Sequence, residues 1–225
     1  MKKEKQNQIL LIDKPRGISS FDVIRILRKK IGVRNPSTGL RIKIGHAGTL
    51  DPLASGLLIL GIGEGTKKLK DFIGLDKTYE MEVLLGRQTD TGDMEGRVID
   101  EASVGNVGID KVKEILKSLE GEIELEISIY SALKVGGVPM YRLARQGKKV
   151  EPKKRKMKIY SLKFLNYRQE DGRHILKVKL ECGSGTYARS VAEEIGRRLG
   201  YPATVYSLRR TKVGDFKIGD AEKIN

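Results

Sequence analysis

The sequence predicts one α+β domain in which strands and helices are interleaved along 225 residues. Three observations carry this reading: short apolar or alternating runs, apolar stripes at helical spacing bounded by capping and stop residues, and the absence of internal repeats and low-complexity linkers. With no Trp and few aromatic residues, the core must be built mainly from Ile, Leu and Val.

Charge narrows the partners. Lys and Arg number 44 against 29 Asp and Glu, a net charge of +15, and the pI is near 9.8. Such an excess opposes compactness by self-repulsion and is most readily explained by a polyanion, nucleic acid first and a membrane surface second. No apolar run approaches the roughly 20 residues of a membrane span. Residues 1–8 are basic, with no apolar segment behind them long enough for a signal peptide. One cysteine, Cys182, forms no internal disulfide, and one cysteine with two distant histidines gives no zinc spacing. The expectation is a cytoplasmic, metal-free protein.

Taken in order, residues 8–13 (QILLID) read as a buried strand ended by the Lys14-Pro15-Arg16-Gly17 turn. Ser19 and Asp22 resemble a capping box, and Phe21, Ile24, Leu27 and Ile31 supply a helical stripe closed by Gly32. Residues 35–39 (NPSTG) are loop; Ile42 and Ile44 alternate with basic residues, and 57–62 (LLILGI) is a second buried strand. Thr66 then caps a short basic helix reaching about Gly74. The neighbouring glycines do not form a phosphate loop, because Thr66-Lys67 stands where that motif requires Gly-Lys.

Residues 77–86 alternate, with Tyr79, Met81, Val83 and Leu85 on one face. The 89–96 loop (TDTGDMEG) carries Asp90 and Asp93 but lacks the full calcium-loop pattern. Asp110 caps a helix with a Val112, Ile115, Leu116 and Leu119 stripe, stopped by Gly121, and 122–129 form a half-exposed strand with an acidic outer face. From Met140 to Tyr160 the sign reverses: a short helix between Pro139 and Gly147, then a loop, make the strongest basic patch, including Lys153, Lys154, Arg155 and Lys156. Asp171-Gly172 signals a hairpin. In its second strand Leu176, Val178, Leu180 and Cys182 share the inner face, which makes Cys182 a small buried residue; His174 is a surface residue. A helix follows to Leu199, stopped by Gly200, and a last strand, 203–208, leads into Arg209-Arg210.

Two stretches invite chemistry. Residues 45–58 (GHAGTLDPLASGLL) place His46 and Asp51 in a Gly- and Pro-punctuated loop between apolar strands, a setting where rigidly held loops carry function. Pro52 biases Asp51 to an extended backbone, although on composition alone a solvated turn aspartate is the favoured reading. Residues 183–188 fit G-x-G-x-x-A between a strand and a helix, as a dinucleotide fingerprint does. Against that reading, only 25 residues follow Gly200, too few for further βαβ units, and Arg209-Arg210 occupy the place of the expected acidic residue. In the other reading the glycines turn the chain tightly so that Arg189 projects into a cleft, where it could hold a loop carboxylate ionised.

Residues 45–58, 130–147 (YSALKVGGVPMYRLARQG) and 182–189 (CGSGTYAR), with Asp13-Lys14-Pro15 upstream and Lys77-Thr78-Tyr79-Glu80 between, together resemble the TruB family of tRNA pseudouridine synthases. The resemblance implies a pseudouridine synthase fold, a mixed, largely antiparallel sheet flanked by helices and loops with a central RNA-binding cleft. It implies isomerisation of uridine 55 in the T arm of tRNA, without metal or organic cofactor. By motif position Asp51 is the expected nucleophile, at the ribose C1′ or the uracil C6, a use of carboxylate catalysis that divides one hard substitution into two steps. Tyr79 carries over as the aromatic that stacks on the uracil and as candidate base for the C5 proton. Arg189 carries over as the ion-pair partner of Asp51, Leu208 as an apolar backstop, and His46 as the residue filling space vacated when bases are extruded. Lys14 and Pro15 match a motif taken to support the cleft, with Lys14 counted among the substrate-binding residues.

The chain departs from the family pattern at Ile127-Ser128-Ile129, where a Gln and a Pro pair are usual, and in ending soon after residues 210–214, where a C-terminal PUA-type RNA-binding domain usually follows. The expectation is one catalytic domain over residues 1–225, monomeric, without an obligate protein partner, holding tRNA partly through its charge. Two alternatives remain: a guide-RNA-dependent pseudouridine synthase, disfavoured by the missing domain, and a non-catalytic tRNA-binding or folding protein.

Overall fold

The computed structural model describes residues 8–32, 34 and 39–224. The expectations for the 35–38 loop and for the N-terminal basic stretch through residue 7 lie outside these residues. In chain order the elements are β1 (Ile9–Lys14), α1 (Ser20–Ile31), β2 (Ile44–Ala47), β3 (Ser55–Ile62), a 3-10 turn (Gly63–Lys68), α2 (Leu69–Ile73), β4 (Lys77–Leu85), β5 (Arg87–Thr89) and β6 (Val98–Glu101). There follow α3 (Ile109–Ser118), β7 (Gly121–Ile127), β8 (Lys134–Val135), β9 (Val138–Pro139), α4 (Met140–Arg145), β10 (Lys153–Glu170), β11 (Arg173–Cys182), α5 (Ala188–Leu199), β12 (Ala203–Val213), β13 (Phe216–Lys217), a second 3-10 turn (Ile218–Asp220) and β14 (Glu222–Lys223). This is the mixed, largely antiparallel α+β architecture the sequence predicts. None of the described helices is long and apolar enough to cross a membrane.

The chain forms two compact units, one of residues 1–79 and 208–225 and one of residues 80–207, and it passes between them within β4 and within β12.

In the first unit the strand order is β14-β1-β3-β12, with β2 on β3 and β13 on β12. The β1/β3, β2/β3 and β12/β13 pairs are antiparallel, and β1/β14 and β3/β12 parallel. Strand β3 is apolar throughout because both of its faces are covered. Leu58, Leu60 and Ile62 pack with Val23, Ile24 and Leu27 of α1, while Leu57 and Ile59 pack with Leu69 and Val213. Each α1 side chain buried in this way contributes about 2 kcal/mol. The Ser19–Asp22 capping box forms as expected, and the helix stops at Gly32, whose φ is +88°. The stripe is corrected at one position: Phe21 is 57% exposed, and Val23 takes the inward place beside Ile24. Thr66 does not cap a helix. Its hydroxyl donates to the Gly63 carbonyl within the 3-10 turn, and α2 begins at Leu69 without a side-chain cap.

In the second unit the order is β12-β4-β11-β10-β7, with β10 antiparallel to both β11 and β7. Helix α3 lies against β10 and α5, and α5 against β7. The hairpin between β10 and β11 turns at Asp171 and Gly172, both with positive φ (49° and 72°), as two-residue turns that match strand twist require. Leu176, Val178, Leu180 and Cys182 are all buried. Asp110 lies in the first turn of α3 and is not its cap, a place taken by Gly108. Residues 153–156, expected in a loop, are the exposed start of strand β10, because pairing with β7 extends the strand beyond its apolar part. Strand β12 likewise continues through Arg209 and Arg210 to Val213.

Candidate active site

The loop between β2 and β3 is gripped from several directions by groups of the first unit. The Arg210 guanidinium donates to Gly48 O (3.0 Å), at the start of the loop, and to Leu57 O (2.8 Å), on β3 just beyond it. Ser20, the first residue of α1, donates its hydroxyl to Leu50 O (3.0 Å) and accepts the Leu50 N–H (2.9 Å). The carbonyl of Pro52 accepts the Gly17 N–H at 2.8 Å and faces the Lys14 ammonium at 3.5 Å. Arg209, paired with Asp13 at 2.7 and 3.1 Å, also reaches the Ser55 hydroxyl. Asp51 sits half-buried between the Leu50 and Pro52 anchors, and its carbonyl accepts the Ala54 N–H at 3.0 Å, which tightens the turn.

These supports are costly groups placed inside the fold. Lys14 is 0% and Arg210 1% exposed, and a buried cation is tolerated only when its donors are matched. Lys14 meets this through the carbonyls of Pro15 (3.0 Å) and Ile18 (2.6 Å), so its ammonium lies beneath the loop and not on the surface. Gly56, at φ +103°, lets the chain pass Arg210: a Cβ there would lie 2.3 Å from Arg210 O.

The other expected residues of this unit fall on neighbouring strands. His46 is on β2, opposite Leu60 of β3. Burial and then the charge of Arg210 lower its pKa, which keeps the imidazole neutral, and its buried Nδ1 has no hydrogen-bond partner. Tyr79, 8% exposed, shares a face of β4 with Lys77 and Met81. Lys77, also buried, donates to the carbonyls of Ile73 and Leu75 (2.8 and 2.6 Å). Leu208, 9% exposed, points inward on β12 as Arg210 does, two residues further on.

In the second unit Arg189 is 9% exposed and joins two motifs far apart in sequence. Its Nη1 donates to Thr91 O (2.6 Å) in the 89–96 loop, and its Nη2 to Tyr130 O (3.2 Å) at the start of the YSALKVGG segment. The loop itself is closed by Thr91 and Asp93: the Thr91 hydroxyl donates to Asp93 Oδ1 at 2.8 Å, and the Glu95 N–H to the same oxygen at 3.0 Å. Among the described residues no group of three or more His, Cys, Asp or Glu is placed to hold a metal ion.

The basic strand divides into two faces. In the β10/β7 register Lys154 stands opposite Glu126, Lys156 opposite Glu124 and Lys158 opposite Glu122, so the acidic face of β7 partly neutralises these three. Arg155 alternates to the other face, where its guanidinium covers Gly185: a Cβ on that glycine would fall 2.5 Å from Arg155 Nη2. Lys153 has the same parity.

Sequence reasoning missed two supports, Ser20 and Arg210. Ser20 follows the cap residue and looks redundant with it, and Arg210 reads as surface charge at a strand end. Glu193 lies one turn after Arg189 on α5, half-buried.

The sheet order and the anchored loop define the chain as a member of the pseudouridine synthase fold class. A chain of a solved Cbf5-Nop10-Gar1 complex superposes with a TM-score of 0.68 at 26% identity, over 94% of this chain and 50% of that one. This chain thus spans half the length of that structure. The tRNA pseudouridine synthase B of Endomicrobium trichonymphae is 45% identical over 213 residues, which are 95% of this chain and 87% of that protein. That of Caldicellulosiruptor saccharolyticus is 44% identical over 214 residues, 94% of this chain and 69% of that protein. The model of the TruB family pseudouridylate synthase N-terminal domain matches residues 28–188, and the chain belongs to that family.

Proposed function

We propose that the protein converts uridine to pseudouridine in the T arm of tRNA, at position 55, with Asp51 as the nucleophile. The observation that carries this reading is the loop around Asp51, held at Gly48 and Leu57 by the buried Arg210, at Leu50 by the buried Ser20 and at Pro52 by the Gly17 N–H. A carboxylate fixed in this way meets the bound uridine without first ordering its own backbone, which is where positioning lowers a barrier. Asp51 bonds to C1′ as N1 leaves, or adds to C6 before the N-glycosidic bond breaks; the base turns, C5 bonds to C1′, the bond to Asp51 breaks to return the carboxylate, and loss of the C5 proton with gain of one at N1 completes the isomer. Tyr79 stacks on the uracil and takes the C5 proton, Leu208 backs the base, and Arg189 keeps Asp51 ionised. A neutral His46 fills the gap left in the T loop, since a neutral ring stacks into an apolar gap at lower desolvation cost than a charged one. The net charge of +15 supports a tRNA partner.

Mapping pseudouridine in bulk tRNA treated with the protein tests the target. The expected result is modification at position 55 alone. Modification confined to other positions, or to RNAs other than tRNA, would overturn the assignment.

A further inference from the structure

We propose that the last turn of α1 and the chain that follows it, through Lys43, form the surface that holds the phosphate backbone of the RNA substrate. This rests on the reading of RNA as the substrate, and the surface lies entirely within the first unit.

The charge there is concentrated and of one sign. Between Asp22 and Asp51 the chain carries seven Lys or Arg and no Asp or Glu. Arg25 is paired with Asp22. The other six, Arg28, Lys29, Lys30, Arg34, Arg41 and Lys43, form no ion pair with any described residue. All but Arg28 are exposed, and Arg28 keeps a buried Nε without a hydrogen-bond partner.

The fold brings these groups together. Arg34 and Arg41 stand opposite one another on an antiparallel bridge, where like charges repel at close range. The Arg34 Nη1 donates to Gly39 O at 2.9 Å, a neutral acceptor that leaves the repulsion in place. Four steps of chain lead from Lys30 to Arg34, so their Cα atoms are at most about 15 Å apart. Ile42 and Ile44 pack into the core with Val23, Ile24 and Leu27, while Arg41 and Lys43 alternate with them and face solvent. The α1 macrodipole accounts for cations in the last helical turn, but not for Arg34, Arg41 and Lys43, which lie beyond the helix.

A surface that carries its own repulsion uncompensated gains most from a polyanion, which releases its counterions as the cations take their place. Lys43 immediately precedes β2, the strand that carries His46, so an RNA backbone held here runs on toward the candidate site. A lipid surface fits less well, because the apolar residues that α1 would have to insert, Val23, Ile24 and Leu27, are spent on the core. The β10 cations differ in kind: Lys154, Lys156 and Lys158 already face Glu126, Glu124 and Glu122.

The test is filter binding of a T-arm transcript over a range of salt concentrations. It compares the unmodified chain, a fourfold variant (Lys29→Ala, Lys30→Ala, Arg41→Ala, Lys43→Ala) and a threefold variant (Lys154→Ala, Lys156→Ala, Lys158→Ala). Each phosphate contact contributes about 0.7–0.9 to the salt slope, so the fourfold variant should lower it by about three and the threefold variant by about one. A fourfold variant whose slope falls no further than that of the threefold variant overturns the proposal. If the fourfold variant does not fold, the exposed pair Lys29→Gln, Lys30→Gln replaces it, with an expected fall of about one to two, and an unchanged slope overturns the proposal. Co-sedimentation with phosphatidylserine vesicles tests the lipid: vesicle binding that the fourfold variant loses while its RNA slope stays put assigns the surface to lipid and overturns it. An unmodified chain whose RNA binding does not respond to salt would sink the RNA reading beneath the proposal, whereas salt-dependent binding with an unmoved slope in the fourfold variant sinks only this inference.

Discussion

The hydroxyl of Ser20 bonds both backbone groups of Leu50, donating to its carbonyl at 3.0 Å and accepting its N–H at 2.9 Å. One side chain at the first position of α1 thereby satisfies the residue just before Asp51. Ser20→Ala would leave a buried N–H and a buried C=O without their partner, at a cost of about 1–3 kcal/mol. Urea unfolding should show that loss. In steady-state assays the variant should lose kcat more than it raises KM, because the loop that carries the nucleophile would be misplaced while the RNA surface stays intact.

Gly56 tests the opposite end of the loop. Its φ is +103°, and a methyl group added there would stand 2.3 Å from Arg210 O, so Gly56→Ala combines left-handed strain with a backbone collision. The expected destabilisation is on the order of 3 kcal/mol or more. Thermal melting would check this, with Gly172→Ala as the comparison, since that hairpin glycine also has positive φ but nothing within 4 Å of its Cβ position.

The charge register on β10 separates cations that the sequence groups together. Lys154 and Lys156 face Glu126 and Glu124, whereas Arg155 lies on the opposite face over Gly185. Replacing Arg155 by Ala should therefore reduce the salt slope of tRNA binding by about one. The Lys154→Ala, Lys156→Ala pair should change it less than two unpaired cations would. Filter binding over a range of salt concentrations makes the comparison, and equal slopes per charge removed would show that the glutamates do not matter.

Much of this was legible in the chain itself. Alternation over 77–86 and over 175–182, the Ser19–Asp22 box and the Asp171-Gly172 turn each follow from local chemistry, and each forms where expected. The errors have physical causes of the same kind. Thr66 and Asp110 are good caps by residue type, but the chain at each point is set by what packs next to it, a 3-10 turn in one case and Gly108 in the other. Residues 153–156 look like loop because four consecutive cations have no apolar face, and only the partner strand β7 makes them a strand. The anchors of the Asp51 loop were hidden for a related reason. Ser20 and Arg210 are polar residues whose buried roles exist only once distant segments meet, and no local pattern announces them, whereas Lys14 was named through the Asp13-Lys14-Pro15 motif.

Glu193 gives the fold a pH dependence of definite sign. Its carboxyl, raised to about 7 from an ordinary 4.5, holds a proton in the folded chain over a window where the unfolded chain has lost it. Stability from this group is therefore full below the ordinary value and falls as pH rises through the window. Glu193→Gln should flatten that decline and raise stability at alkaline pH by about 1–3 kcal/mol relative to the unmodified chain. Urea midpoints measured at both ends of the window would decide it; a variant that declines just as steeply would place the titration elsewhere.

The proposed chemistry turns on Asp51 as nucleophile. Its most direct measurement is pseudouridine formed on a T-arm transcript by the unmodified chain and by Asp51→Asn, each first shown to bind that RNA with equal affinity. The expected result is product from the unmodified chain and none from the variant. Equal product from both would contradict the assignment.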